Sequence, residues 1–283
     1  ISAHINGSSR WLRLGVLNLQ PSEFMKLFMV IYVAGYLVRK QEELRNFTQG
    51  IVMMSLVVAG IGVLLLLEPD MGTFVVISIT VFSMLFMSGV RFWHFMMVLG
   101  AGAGSLVLLT IISPYRMGRV MSFRDPWADP FDTGFQLVQA LIAFGRGEWL
   151  GVGLGASVQK LFYLPAAHTD FVFAVMAEEL GLISVLGVMV LFGIILVRAF
   201  AIARHAEAAG LIYSARLAQG IGVLLGGQAM INMGVNMGLL PTKGLTLPFV
   251  SYGGSSMLVS CIAMGVLLLI GRETRTGGAW VKA

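Results

Sequence analysis

Residues 171–200 read FVFAVMAEELGLISVLGVMVLFGIILVRAF, thirty positions that carry only three charged side chains. An α-helix rises about 1.5 Å per residue, so this segment would be about 45 Å long, whereas the hydrocarbon core of a bilayer is about 30 Å thick. The segment therefore predicts a membrane-spanning helix with length to spare. We expect its first turns, which contain Glu178 and Glu179, to line an outer cavity.

The composition of the whole chain indicates the same environment. Of its 283 residues, 57% are hydrophobic and only 12% are charged, whereas about a quarter of the residues of a soluble domain are charged. So few charges cannot cover a water-facing surface of this size, which excludes soluble folds and, despite a net charge of +5, nucleic-acid binding. The single cysteine, Cys261, excludes disulfides and cysteine-based metal sites.

Seven segments are long and apolar enough to cross a bilayer: 21–39, 49–67, 71–90, 94–113, 171–200, 211–238 and 250–271. The expected fold class is an all-α polytopic membrane protein in which residues 1–283 form one integral membrane domain. The polar, turn-rich segment 1–20 predicts a loop near the membrane interface. Since multi-span proteins rarely begin in a loop, we expect the chain to be part of a longer one.

Charge predicts the orientation. With the C-terminus in the cytoplasm, that side holds ten Lys and Arg against four acids, and the other side nine against ten. Residues 114–170 then form one long extracytoplasmic loop, and loops of this length are usually functional or disordered. Apolar residues at helical spacing, from Phe135 to Ile142, predict an interfacial or re-entrant helix within it. We expect the chemistry in this loop.

Three motif-like patterns are rejected on their context. Gly151-Val-Gly-Leu-Gly-Ala156 has dinucleotide-binding spacing, but no strand precedes it between two spans. Ser157-Val-Gln-Lys160 has the S-x-x-K form of a penicillin-binding serine enzyme, but the S-D-N motif that should follow is absent. The four histidines fall in four different regions, which argues against a histidine-built zinc centre.

Charged side chains within a membrane need a partner or a task. Glu23 and Lys26 are i, i+3 neighbours that can neutralise each other, either as a structural ion pair or in contact with a substrate. Asp70, in a Pro-Gly turn, is expected to cap the helix that follows it. Asp170 lies where the long loop re-enters the bilayer, and partial desolvation makes a carboxylate a better proton acceptor. Alternatively, Thr169 or Asp170 caps the next helix.

Other polar residues suit an anionic substrate. The guanidinium forks of Arg116 and Arg119 match phosphate oxygens, and Lys160 is expected near the membrane face. The segment 240–256 brings prolines, glycines and hydroxyls to membrane depth, where irregular backbone is tolerated only if it is buried in protein or lines a wet cavity. We expect this segment to pack beside residues 168–170.

Five motifs in order resemble the SEDS family (shape, elongation, division and sporulation): Q-P-S-E at 20–23, E-P-D-x-G at 68–72, P-Y-R-x-x-R at 114–119, H-T-D-F at 168–171 and P-T-K-G-L-T-L-P-x-x-S-Y-G-G-S-S at 241–256. The resemblance covers about residues 6–273. Members are ten-span peptidoglycan glycosyltransferases, so the resemblance implies an N-terminally truncated ten-helix fold that lacks three helices. Residues 160–165 and 241–248 are more similar to the cell-division branch than to the elongation branch.

The resemblance implies polymerisation of lipid II into glycan strands, with release of undecaprenyl pyrophosphate, during septal cell-wall synthesis at the bacterial inner membrane. It implies that Asp170 is the catalytic residue, taking the proton of an acceptor sugar hydroxyl as that oxygen attacks and inverts the donor's anomeric carbon. Substrate contacts are expected from the residues Arg116, Arg119, Lys160, His168, Lys243, Ser251, Tyr252 and Ser255.

Arg116, Arg119, Lys160 and Lys243 are the cations expected to stabilise the leaving pyrophosphate, and a divalent cation such as Mg²⁺ or Mn²⁺ could assist them. The resemblance also implies partners, namely a class B penicillin-binding protein (a transpeptidase) and other divisome membrane proteins. Two alternatives stay open: a lipid II flippase or transporter, and a polymerase of the elongation type. The clustering of ionisable groups at the outer face and the lack of an evident inverted repeat argue against a transporter.

Overall fold

The computed structural model describes residues 2–275 except 6–7, 15–16, 114–116, 119–120, 122, 132–133 and 242–243. The described part contains three strands and eight α-helices. The strands are β1 (Ser2–Ile5), β2 (Ser8–Leu14) and β3 (Leu17–Leu19). The helices are α1 (Pro21–Arg39), α2 (Met53–Leu67), α3 (Met71–Met87), α4 (Phe92–Ile112), α5 (Phe135–Gly147), α6 (Val172–Ala208), α7 (Ile212–Asn236) and α8 (Gly254–Arg275).

All seven predicted spans are helical, which confirms the all-α membrane fold. Within the described residues, five helical segments are long and apolar enough to cross a membrane: α1, Gly50–Leu67 (which includes α2), α4, α6 and α8. The helix α3 is apolar but only 17 residues long. The helix α7 carries polar side chains that the protein buries, among them Gln228, Asn232 and Asn236. A helix that contacts protein on most sides does not need an apolar surface, so α7 is less apolar than its neighbours.

The N-terminal segment differs from the prediction. The loop predicted for residues 1–20 is wrong in its secondary structure, because β1, β2 and β3 form an antiparallel sheet in that order. Ser2 is paired with Leu12, and Leu12 with Leu19. The apolar residues of this stretch alternate over too few positions to stand out from a polar loop, and the pairing of the strands supplies the backbone hydrogen bonds.

The described chain divides into two compact units, each built from separate segments. The single membrane domain expected from the sequence stays a prediction. The first unit contains residues 1–99, 193–227 and 254–283. In it α1 packs against α3 and α8, and α2 packs against α3. A Cβ on Gly220 would lie 2.5 Å from Val30 Cγ1 and 2.7 Å from Met84 Sδ, so α7 touches α1 and α3 because it has no side chain there.

The second unit contains residues 100–192 and 228–253, and includes α5. The helix predicted between Phe135 and Ile142 is therefore present and extends to Gly147. It buries Leu137, Val138, Ala140 and Ala143, and the last two pack against a cluster that includes Phe171 and Ala174. The cluster also includes Leu164 and Ala167, so it joins α5 to the turn that precedes α6.

The helix α6 is interrupted at Gly181, whose φ of 71° and ψ of −173° are not helical. The segment 148–153 bonds to both sides of the break. The amides of Val152 and Gly153 donate to the carbonyls of Glu178 and Glu179, and the amide of Leu182 donates to the carbonyl of Glu148. These bonds pair main-chain groups that the break in the helix would otherwise leave without a partner.

Candidate active site

Asp170 is placed by a tight turn at the start of α6. Residues 165–170 form the turn, in which Ala166 has a φ of 59°. The carbonyl of Ala166 accepts from the amides of Thr169, at 3.0 Å, and of Phe171, at 3.3 Å. Asp170 is half-buried, between this turn and the first residue of the helix. The prediction that an acid lies at the mouth of the helix is confirmed.

Three consecutive main-chain carbonyls of this turn each accept a hydrogen bond from a distant segment. The amide of Tyr252 donates to His168 at 2.9 Å, and the hydroxyl of Ser251 donates to Thr169 at 2.5 Å. The carbonyl of Asp170 accepts from Asn232 Nδ2 and from Asn236 Nδ2, both at 3.0 Å. The expectation that the segment 240–256 packs beside residues 168–170 is therefore confirmed.

The hydrogen bonds at the start of α6 can be compared with the alternative in which Thr169 or Asp170 caps the helix. Its hydroxyl donates back to the carbonyl of Ala166, at 3.2 Å, within the turn. The amide of Ala174, in the first turn of α6, donates instead to Asn236 Oδ1, at 3.2 Å. An asparagine from α7 thus accepts from one amide of the first turn of α6, and capping by Asp170 stays an open alternative.

The backbone at Gly244 lies against the Asp170 carboxylate. A Cβ built on Gly244 would lie 3.1 Å from Asp170 Oδ2, closer than most Cβ contacts in proteins. Glycine therefore allows the loop to approach the acid at residue 244. The neighbouring Lys243, together with Arg116 and Arg119, lies outside the described residues.

Lys160 is held by an acidic neighbour. Its ammonium group forms a short ion pair with the carboxylate of Glu179, in the second turn of α6. About a fifth of the Lys160 side chain remains exposed, at 22%. A phosphate that binds Lys160 would therefore have to displace the Glu179 carboxylate or bind beside it.

Glu178 has a structural environment that the sequence did not indicate. Its side chain is fully buried, and it accepts hydrogen bonds from Ser157 Oγ at 2.5 Å and from the amides of Val158 and Gln159. Arg146 Nη1 lies 3.2 Å from its carboxylate. The expectation that Glu178 lines an outer cavity is wrong, because the loop before α6 closes over it. A cavity of ≈ 460 Å³ lies nearby, and its lining residues are Phe144, Glu148, Trp149, Ala177, Leu182 and Val185.

The polar residues of the first unit hold the ends of its helices. Lys26 Nζ lies 2.8 Å from Glu23 Oε1, and both side chains are almost wholly buried, so the predicted ion pair is present. Asp70 accepts from the amide of Thr73, which confirms the predicted cap of α3. Ser255, expected to contact substrate, is buried and accepts from the amide of Gln20 at 2.9 Å.

Of the other predicted contact residues, His168 and Tyr252 have exposed side chains, and Ser251 is buried. The first two can reach a ligand, whereas the Ser251 hydroxyl is engaged: it donates to Thr169 and accepts from the amide of Leu247, at 2.7 Å. The Ser251 hydroxyl therefore links the turn to the loop, and the substrate contact expected of it stays a prediction.

Sequence reasoning missed three amides of α7. Gln228, Asn232 and Asn236 recur every four residues, which places them on one helical face. Gln228 Nε2 donates to the carbonyl of Thr246 at 2.9 Å, and the two asparagines bond to Asp170. This spacing was the available signal, because polar side chains in a span are expensive and usually have a task.

The described residues do not provide an all-protein metal site. Among them, no three His, Cys, Asp or Glu side chains lie close enough to hold an ion together. A Mg²⁺ or Mn²⁺ ion can also be held by one or two carboxylates together with water and substrate phosphates. The divalent cation expected from the sequence therefore stays a prediction.

A family model described as "Cell cycle protein" (FTSW_RODA_SPOVE) matches residues 1–276. A protein of Nitrosococcus halophilus called "Probable peptidoglycan glycosyltransferase FtsW" is 57% identical over 97% of this chain and 71% of its own length. Proteins with the same name from Thioalkalivibrio sulfidiphilus and Coxiella burnetii are each 54% identical; the alignments cover 98% and 97% of this chain, and 70% and 74% of those proteins.

Solved structures also match. One, described as "Structural coordination of polymerization and crosslinking by a peptidoglycan synthase complex", superposes with a TM-score of 0.77 at 33% identity, over 97% of this chain and 76% of that one. The rod shape determining protein RodA of Thermus thermophilus gives a TM-score of 0.64 at 29% identity, over 97% and 72% of the two chains. The described fold is thus shared well beyond the sequence motifs.

Proposed function

Because this chain belongs to the FTSW_RODA_SPOVE family of cell cycle proteins, we propose that Asp170 is the general base of its glycosyl transfer. The chain is a peptidoglycan glycosyltransferase, as its relatives at 51–57% identity are named. It is a multi-pass membrane protein with five apolar helices of spanning length in its described part. The proposal concerns which residues perform the reaction and on what substrate.

The donor and acceptor in this proposal are lipid II or a growing glycan ending in the same lipid pyrophosphate. The acceptor's sugar hydroxyl gives its proton to the Asp170 carboxylate while its oxygen attacks the donor's anomeric carbon. The bond from that carbon to the pyrophosphate breaks, configuration inverts, and undecaprenyl pyrophosphate leaves. A carboxylate within hydrogen-bond reach of the hydroxyl can supply about 10²–10⁴-fold in rate.

The observation that carries the proposal is the support given to Asp170. Hydrogen bonds hold the carbonyls of residues 168, 169 and 170, while the acid itself stays half-buried beside the backbone of Gly244. A turn needed only to connect two segments would not require such constraint. General bases do require it, because small errors in position lower the rate steeply.

Arg116, Arg119 and Lys243 are proposed to stabilise the leaving pyrophosphate, with a contribution from Lys160 once a phosphate competes for Glu179. The exposed His168 and Tyr252 are proposed to contact the sugars or the diphosphate. A cytoplasmic C-terminus, which follows from the charge distribution, would put Asp170 on the extracytoplasmic side, where the glycan is built. Action at the division septum is proposed because the relatives named here as FtsW are 51–57% identical, whereas RodA is 29% identical.

A class B penicillin-binding protein is the proposed partner. The structural neighbour with 33% identity is described as part of a complex that coordinates polymerization and crosslinking. A polymerase that releases uncrosslinked glycan needs a transpeptidase close by. Other divisome membrane proteins are proposed partners on the same grounds.

The experiment measures glycan formation from purified lipid II by the full-length protein with its penicillin-binding partner. We expect Asp170→Asn to abolish polymerisation while leaving expression and melting temperature near the parent values. Asp125→Asn, which changes an exposed carboxylate of the same long loop, is the control and should polymerise normally. Parental activity in Asp170→Asn would refute the assignment, and transport of lipid II without any polymer from the parent would favour the flippase alternative.

A further inference from the structure

Two asparagines of α7 hold the peptide carbonyl of Asp170. Asn232 Nδ2 and Asn236 Nδ2 each donate to that oxygen at 3.0 Å. A carbonyl oxygen has two lone pairs, so two donors fill its accepting capacity. We propose that Asn232 and Asn236 are positioning residues that set the direction in which the Asp170 side chain points. The inference rests on the proposed function, in which Asp170 is the base.

Each asparagine also connects Asp170 to a second element. Asn232 Nδ2 donates to the carbonyl of Leu245, at 2.5 Å, in the loop whose Gly244 faces the carboxylate. Asn236 Oδ1 accepts from the amide of Ala174, in the first turn of α6. The pair therefore sets the distance of Asp170 from the loop on one side and from its own helix on the other.

Both amides are enclosed by protein. Asn232 is 1% exposed and Asn236 is 0% exposed, and Asn236 Nδ2 additionally donates to the main-chain carbonyl of Asn232 at 2.9 Å. A buried amide group without a hydrogen-bond partner is destabilising, so both side chains favour the conformations that keep these bonds. The i, i+4 spacing on a rigid helix keeps the two donors in register.

This arrangement predicts an effect on the chemical step more than on binding. Neither asparagine is exposed to a ligand, so substrate affinity should depend little on them. Loss of one donor frees the Asp170 peptide to rotate, and a displacement of about 1 Å at a reacting group can lower a rate by about 10²-fold. A change in kcat without a change in KM is thus the signature of positioning.

The two chemical functions of Asn236 can be separated by substitution. Asn236→Asp keeps an oxygen to accept from Ala174 but removes the donor to Asp170, whereas Asn236→Ala removes both. Asn232→Ala removes the donor shared by Asp170 and Leu245, and provides an independent variant should Asn236→Asp not fold. Gln219→Ala is the matched control, because Gln219 is a buried amide on the same helix that accepts from Arg216.

Initial rates of polymerisation are measured over a range of lipid II concentrations, with the full-length protein and its partner, and normalised to folded protein by melting curves. We expect Asn236→Asp and Asn232→Ala to lower kcat by about 10–100-fold, with KM changed by less than about twofold. Gln219→Ala should keep the parental kcat.

Parental kcat in both asparagine variants overturns the inference, as does a loss confined to KM or an equal loss in Gln219→Ala. If Asn236→Ala is slow but Asn236→Asp has the parental rate, Asn236 only caps α6 and its positioning role is refuted. An inactive Asp170→Asn protein beside fully active asparagine variants would refute this inference alone. Parental activity of Asp170→Asn would refute the proposed function instead.

Discussion

The hydroxyl of Ser251 donates to the main-chain carbonyl of Thr169 at 2.5 Å and accepts from the amide of Leu247 at 2.7 Å. One small side chain thus joins the turn before Asp170 to the loop that ends at α8. Sequence comparison with a family suggested that Ser251 binds substrate. Its side chain is buried between its two partners, so we expect it to hold the site together.

The first prediction follows from this bond. Ser251→Ala should leave the buried amide of Leu247 unpaired, at a cost of about 1–3 kcal/mol, and remove a donor from the part-buried carbonyl of Thr169. We expect a lower melting temperature and slower polymerisation. Ser251→Thr keeps the hydroxyl and should retain more of both properties. Parental stability in Ser251→Ala, measured by thermal unfolding in detergent, would contradict the supporting role.

A methyl group beside the base should impair the reaction without unfolding the protein. In Gly244→Ala, the new Cβ would lie 3.1 Å from Asp170 Oδ2 and push the carboxylate aside by a few tenths of an ångström. We expect polymerisation to slow by about tenfold, since rates fall steeply with misplacement. Gly227→Ala, where no atom lies within 4 Å, is the control. Equal rates in the two variants would show that the close contact between Gly244 and Asp170 does not affect polymerisation.

Removal of the buried acid Glu178 should destabilise the second unit. Glu178→Ala leaves the Ser157 hydroxyl, the amides of Val158 and Gln159, and the Arg146 guanidinium without their acceptor. The Arg146 side chain is 43% exposed and can be hydrated, so the cost comes mainly from the Ser157 hydroxyl and the Gln159 amide, at about 1–3 kcal/mol for each buried donor left unpaired. The melting temperature should therefore fall clearly.

The control for that experiment is an exposed ion pair. Glu207 is paired with Arg216 at 3.2 Å, and 44% of its side chain is exposed. Its replacement in Glu207→Ala should cost about 0–1 kcal/mol. Similar melting temperatures for the Glu178 and Glu207 variants would mean that the buried carboxylate contributes no more than a surface one.

The break in α6 requires glycine. At Gly181, φ is 71° and ψ is −173°, a conformation essentially limited to glycine, and a Cβ would lie 2.5 Å from the carbonyl of Trp149. Gly181→Ala should lower the free energy of unfolding by about 1–3 kcal/mol from backbone strain alone. Gly187→Ala, on the same helix with no atom within 4 Å, should change stability by no more than about 1 kcal/mol. Thermal unfolding that ranks the two variants equally would contradict this account.

Membrane helices were predictable because a bilayer imposes a simple condition. A segment must be about 20 residues long and mostly apolar to span it, and seven segments satisfied that condition and formed helices. The prediction for 21–39 coincides with α1, whereas α6 extends eight residues beyond the predicted 200. Hydropathy does not mark where a helix ends in water, and it gave no sign of the break at Gly181.

The candidate base was predictable for a different reason. Asp170 lies at the end of a long loop within the H-T-D-F motif, so position and resemblance both pointed to it. The partners of its neighbours were not predictable. Asn232 and Asn236 follow Asp170 by 62 and 66 residues, and the pattern of one chain does not state which distant carbonyl a buried amide will meet.

The ion pair of Lys160 was likewise not predictable from the sequence. Its sequence context allowed a phosphate ligand, but folding places Glu179 against its ammonium group. Apolar patterning, charge balance and local turn residues carry information over a few neighbouring positions, and they were sufficient for the membrane-spanning architecture and for the acid at the helix entrance. Hydrogen bonds and ion pairs join groups that lie far apart in the chain, and each depends on helix packing to within about an ångström. Only the tertiary structure could therefore decide which side chains hold Asp170 in place.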